Sequence, residues 1–210
     1  MSAKEKIYIF LDVDGVLNSD RYIEILNKDG YRGDTDREFD PIVMKCLKDL
    51  VRYKSDKYKY QFVISSSWRV MFSDCDYIEK CLISSNIISE YDFVDRTPVF
   101  RDGPRKKRSE EISAYCDLYN IPEENIIIID DDEYDLLDLK GRLIKCNQKY
   151  GFDKSKLKEA KRLIDESEEF KCVMKKNVNV VETAEETVNV KKINALKMIQ
   201  MKVKSILSSM

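Results

Sequence analysis

The chain of 210 residues has no histidine, only six glycines and four prolines, one tryptophan and almost no surplus charge, with 37 basic residues against 39 acidic ones. Without histidine there can be no Ser-His-Asp or Cys-His nucleophile system, no H-E-x-x-H zinc site and no imidazole acid or base. Chemistry is left to carboxylates, lysine, hydroxyls and hard cations. A formal charge of −2 supplies no global basic field, so any nucleic-acid partner would be held by local patches. No apolar run reaches membrane length and MSAKEKIYIF has no signal-type apolar region, so the sequence reads as a soluble, cytoplasmic protein with no membrane partner. The cysteines, at 46, 75, 81, 116, 146 and 172, show no C-x-x-C or other metal-ligand spacing and read as mostly buried thiols of a reducing compartment.

What is present is an alternation. Lys6 to Leu11 reads as a buried strand that stops at Asp12-Val13-Asp14-Gly15, and residues 18 to 40 read as a polar loop or flap. Asp40-Pro41 supplies an N-cap and an N1 proline before Ile42, Val43, Cys46, Leu47, Leu50 and Val51 at helical spacing. Tyr60 to Ile64 is a second strand, ending in Ser65, Ser66 and Ser67; a weaker helix at 74 to 84 and a short strand within 92 to 100 follow. Ser109 is expected to cap a helix whose inward stripe is Ile112, Tyr115, Cys116 and Tyr119. Ile126 to Ile129 suits a strand covered on both faces, Arg142 to Cys146 another, and 153 to 168 a charged helix.

This order predicts an α/β fold with a central parallel sheet, over residues 1 to 170. Residues 171 to 210 read as an appendage: a short extended segment, then a basic helix on which Leu196, Ile199, Val203 and Ile206 make a stripe. The surface at 191 to 207 suits self-association or a protein partner.

Sites in parallel sheets lie at the carboxyl ends of strands. Asp12 and Asp14, the serines 65 to 67 and the aspartates 130 to 132 all fall just past strand ends, so one edge collects them. Two carboxylates two residues apart can divide labour, one attacking an electrophile while the other gives and takes a proton. Gly15 allows the sharp turn that aims both. Clustered aspartates repel a phosphate dianion, so a cation is required, and oxygen-only ligands such as Asp12 with Asp130 or Asp131 suit Mg²⁺. An EF-hand is excluded because Leu17 and Ile23 stand where its glycine and glutamate belong. Trp68 reads as a packing residue, and the basic, tyrosine-rich RYKSDKYKY at 52 to 60 as a solvated face at the edge opposite the site.

FLDVDGVLNS, VISSSWR, RSEEI, IIIIDDD and KYGFD, in that order, resemble the motifs of the haloacid dehalogenase (HAD) superfamily, and in particular the HAD domain family of Swiss Army Knife RNA-repair proteins, over about residues 6 to 168. The resemblance implies a Rossmannoid three-layer sandwich that is capless or minimally capped. It implies Asp12 as nucleophile, Asp14 as general acid/base with its backbone carbonyl toward Mg²⁺, and Ser66, or Ser65 by register, as the phosphoryl anchor. Arg108, or Lys107, would be the stabilising cation, Asp130 and Asp131 would complete the metal shell, and Gly15, Asn18, Ser65, Ser67 and Lys107 would line the substrate. The expected activity is Mg²⁺-dependent phosphomonoester hydrolysis through an aspartyl-phosphate, on phosphorylated RNA or DNA ends. A segment as short as 18 to 40 leaves no room for a large cap, which favours macromolecular ends. The rivals are a non-catalytic HAD-fold protein that recruits a partner through its C-terminal helix, and a protein phosphatase.

Overall fold

The computed structural model describes residues 4–28, 39–70, 72–100 and 105–174. The chain divides into two compact units, 1–164 and 165–210. In the second unit residues 165–174 are helical; the extended segment and basic helix expected beyond 174 lie outside the described residues.

In the first unit five parallel strands form one sheet: β1 (Glu5–Leu11), β2 (Tyr58–Ile64), β3 (Asp95–Arg96), β4 (Ile126–Asp130) and β5 (Leu143–Lys145), in the order β3-β2-β1-β4-β5. The α/β fold with a central parallel sheet is therefore as expected from sequence. Helices α1 (Asp20–Lys28), α2 (Pro41–Val51), α3 (Phe72–Ser84) and α4 (Arg108–Tyr119) connect the strands, and residues 154–164 are helical after β5.

Strand parity divides the core. Ile7, Ile9 and Leu11 of β1 pack with Phe62 and Ile64 of β2, Ile127 and Ile129 of β4, Val43 and Leu47 of α2, Ile78 and Leu82 of α3, and Ala160 and Ile164. Phe10, Val63, Ile126 and Ile128 point to the other face, against Ile112 and Tyr115 of α4. Successive strand side chains alternate faces, so the sheet is apolar on both, as a buried parallel sheet requires. Phe10 meets Tyr115 edge to face, with ring centroids 5.6 Å apart.

Several sequence expectations shift. Residues 20–28, read as loop, form α1: the Ser19 hydroxyl accepts the Tyr22 N–H at 3.2 Å as an N-cap, Asp20 sits in the first turn and Lys28 in the last. No residue of α1 is fully buried: Tyr22 and Leu26 are half-buried on one side while Ile23 and Ile25 face solvent, so the helix adds no stripe to the core. Residues 29–38 of the expected flap lie outside the described residues. Helix α4 begins before Ser109: Glu110 accepts the Lys107 N–H at 2.8 Å, which places the cap at Lys107 and Ser109, buried, inside the first turn. On its stripe Ile112 and Tyr115 are buried but Tyr119 is exposed; on α2 Met44 is buried where Ile42 faces solvent. The six cysteines are free thiols, of which only Cys46 and Cys146 are fully buried and Cys172 is exposed.

Candidate active site

Asp12 and Asp130 are set by parity. Asp12 follows Phe10 and Asp130 follows Ile128, so both carboxylates point to the α4 face just where their strands end. The ladder holds their backbone: the Asp12 N–H donates to the Ile129 carbonyl at 3.0 Å, and the Cys146 N–H to the Asp130 carbonyl at 2.7 Å. From the first turn of α4, Arg108 reaches across, with one guanidinium nitrogen 2.5 Å from Asp130 and 3.2 Å from Asp12. A cation at a helix N-terminus opposes the helix dipole, and these two buried carboxylates offset that cost. Burial works against the Arg108 charge, but Asp12 and Asp130 outweigh it and hold the guanidinium firmly protonated. Burial raises the Asp12 carboxyl, with Arg108 and the Ser66 hydroxyl opposing. Burial, with the Asp12 charge added, pushes Asp130 up to about 7.

The turn after β1 needs Gly15, whose φ of +72° falls in the left-handed region and where a Cβ would sit 2.7 Å from the Asp131 carboxyl group. Asp131 rests over that turn and accepts a hydrogen bond from the exposed Gln148 amide at 2.6 Å. Oxygens of Asp12, Asp130 and Asp131 lie within 4.8 Å of one another. Three carboxylates and no nitrogen or sulfur donor fit a hard cation of the Mg²⁺ class. Asp132 does other work: its N–H donates to Asp130 at 2.8 Å and its carboxylate caps the following turn by accepting the Tyr134 N–H at 2.8 Å.

Asp14 is exposed, apart from the three. Its carboxylate accepts the Trp68 indole N–H at 2.8 Å and faces the Asn18 amide at 3.5 Å. Among the serines, the Ser66 hydroxyl lowers the Asp12 carboxyl and accepts the Trp68 backbone N–H at 3.4 Å, whereas the fully buried Ser65 hydroxyl has no partner among the described residues and Ser67 is exposed at the start of a short 3-10 turn. Lys107 turns away, its ammonium 3.9 Å from Asp138, so Arg108 alone of the pair meets the aspartates.

Four residues were not assigned to the site from sequence. Trp68 packs on Phe39, centroids 6.3 Å apart, and also carries the hydrogen bond to Asp14. Arg69, buried, donates to the carbonyls of Ser65 at 3.3 Å and Ser66 at 2.7 Å and pairs with Glu111 of α4 at 2.5 Å, so it fixes the serine turn against the helix that presents Arg108. Gln148 fixes Asp131. The spacing of SSSWR offered a signal for Arg69; nothing local marked Glu111 or Gln148.

A parallel sheet whose first strand ends in D-x-D, with a serine turn, a helix-borne arginine and an acidic strand end gathered beside it, defines a HAD-type domain. The chain belongs to the family described as the HAD domain in Swiss Army Knife RNA repair proteins, which it matches over residues 8–157. Among solved structures it is similar to a haloacid dehalogenase-like hydrolase from Streptococcus pneumoniae, at 15% identity and a TM-score of 0.39 over 76% of this chain and 92% of the other. No curated protein matches it. Among the described residues, no helix is long and apolar enough to cross a membrane.

Proposed function

We propose that the chain hydrolyses phosphomonoesters through an aspartyl-phosphate on Asp12, acting on phosphorylated RNA or DNA ends. The observation that carries this reading is the buried Asp12–Arg108–Asp130 cluster with Asp14 exposed two residues on. Asp12 is held by Arg108, so its carboxylate is aimed before substrate arrives. One Asp12 oxygen attacks phosphorus, the bond to the leaving oxygen breaks, and Asp14 protonates that oxygen. Asp14 then takes a proton from water as the water attacks the acyl phosphate, releasing inorganic phosphate and restoring Asp12.

Ser66 and Arg108, both beside Asp12, would donate to the phosphoryl oxygens as charge develops on them. Asp12, Asp130 and Asp131 would hold Mg²⁺. Bound there, the ion would offset repulsion between the carboxylates and a phosphate dianion. The family description supports nucleic-acid ends as substrate.

The test is phosphate release from 3′- and 5′-phosphorylated RNA and DNA, a phosphopeptide and a small phosphomonoester, by wild type and Asp12→Asn, with and without Mg²⁺. Release that needs both Asp12 and Mg²⁺, fastest from nucleic-acid ends, is expected. Preference for the phosphopeptide would move the substrate to proteins, and no release from any of them would leave a binding protein.

A further inference from the structure

We propose that the groove between α2 and α3 binds the backbone of a single-stranded polynucleotide whose phosphorylated end lies at Asp12. The proposal deepens the phosphatase reading and rests on it for the position of the end.

Helix α2 starts at the catalytic edge of the sheet, since the Asp40 N–H donates to the Leu17 carbonyl at 3.0 Å and the Ser19 hydroxyl donates to Asp40 at 2.6 Å. From there it runs down the sheet face, and its solvent side carries Lys45 and Lys48, with Arg52 at its C-cap, along the groove wall. Lys45 and Arg52 lie seven residues apart, two turns or about 10 Å along the axis. Both are exposed and form no ion pair among the described residues. Lys48 donates across the groove to the Ser85 carbonyl beyond α3, at 2.9 Å. Asp49 is the one acidic residue among the groove's described lining. A local surplus of two positive charges, three against one, therefore stands on a chain whose total is −2.

The groove is joined to the site. Phe39 lies at its upper end, 6.3 Å from the Trp68 ring and 5.6 Å from that of Tyr77, and Trp68 donates to Asp14. At its lower end Arg52 also lines a second depression with Lys4 and Lys6. A row of cations that leads away from a phosphoester-cleaving centre is complementary to a repeating polyanion and has no use for a small phosphate. The basic stretch beginning at Arg52, at the opposite edge from the site, thus becomes the far end of a track.

The experiment pairs two readouts on Lys45→Gln/Arg52→Gln and its charge-reversed form Lys45→Glu/Arg52→Glu. Hydrolysis is measured on a 3′- or 5′-phosphorylated ten-nucleotide RNA or DNA and on p-nitrophenyl phosphate. Binding of an unphosphorylated labelled oligonucleotide is measured by anisotropy against salt, in an Asp12→Asn background. Expected are a KM for the oligonucleotide raised about tenfold in the glutamine form and further in the glutamate form, unchanged kinetics on the small ester, and a salt slope reduced by about 1.4, two contacts' worth. Wild-type KM and salt slope for the oligonucleotide, or an equal loss on the small ester, would overturn the groove while the phosphatase reading stands. So would a phosphopeptide whose KM, rather than the oligonucleotide's, responds to the two variants. If no ester is hydrolysed yet the variants weaken oligonucleotide binding, the groove stands and the phosphatase reading falls.

Discussion

Asp12 and Asp14 leave the same turn two residues apart, yet Asp12 is buried against Arg108 and Asp130 while Asp14 stands exposed on a 2.8 Å hydrogen bond from an indole. The contrast extends around each. The floor of the site continues two strand ladders, is roofed by α4 and is braced by the buried Arg69–Glu111 pair. The rim is the turn at Gly15, the exposed Gln148 over Asp131, and α1, none of whose residues is fully buried. Buried charges are expensive unless neutralised, so the floor is held rigid by the ion pairs that make it tolerable. Rim groups, in water, are held by single hydrogen bonds and can move with substrate. On the proposed mechanism the nucleophile and charge clamp are fixed and the proton carrier is tethered.

The largest effects should come from the floor. Asp12→Asn is expected to lower kcat by at least about a thousandfold, because the attacking oxygen is replaced by an amide, with thermal stability retained. Phosphate release and a melting curve on one preparation check both halves. Arg69→Met removes the brace and leaves Glu111 buried and unpaired, for a loss of about 3 kcal/mol, or roughly 10 °C in Tm. Gln148→Ala, on the rim, should shift Tm by less than about 2 °C. Equal shifts for the two would erase the distinction between floor and rim.

Asp130 gives a pH signature. Its folded value of about 7 stands above the ordinary 3.8, so the folded state holds a proton that the unfolded state releases. The stabilisation this provides is complete below 3.8, declines as pH rises and is gone above about 7. Without Mg²⁺, the stability of wild type relative to Asp130→Asn should therefore fall between those two pH values. A cation requires the ionised carboxylate, so the rise in Tm on adding Mg²⁺ should grow over the same interval. A Mg²⁺ effect independent of pH would show that Asp130 is not a ligand.

The floor was also the legible part. Strand runs such as IIIID and YIFLD declare themselves by composition, and strand ends in a parallel sheet must share an edge, so Asp12, Ser66 and Asp130 could be placed together from sequence. Arg108 required only that a helix begin nearby. The rim, and the Arg69–Glu111 brace beneath the floor, depend on contacts that no period encodes. Helix α1 has no buried stripe, Gln148 meets Asp131 across 17 residues, and Glu111 meets Arg69 across 42. Trp68 was read for its bulk, which does pack on Phe39, but its N–H lies 54 residues from Asp14 in sequence and the pairing follows only from the fold.

That pairing gives the smallest and sharpest test. Trp68→Phe keeps an aromatic ring against Phe39 and removes the donor to Asp14. The hydrogen bond is partly exposed, so its loss is worth about 1 kcal/mol, or roughly fivefold in kcat on a small phosphomonoester. If the indole positions Asp14 for proton transfer, kcat falls while KM and Tm stay near wild type. A drop in Tm with kcat retained would make Trp68 a packing residue alone. A raised KM with kcat unchanged would place the indole against substrate, at the head of the α2–α3 groove, and would move the boundary between site and groove to Trp68 itself.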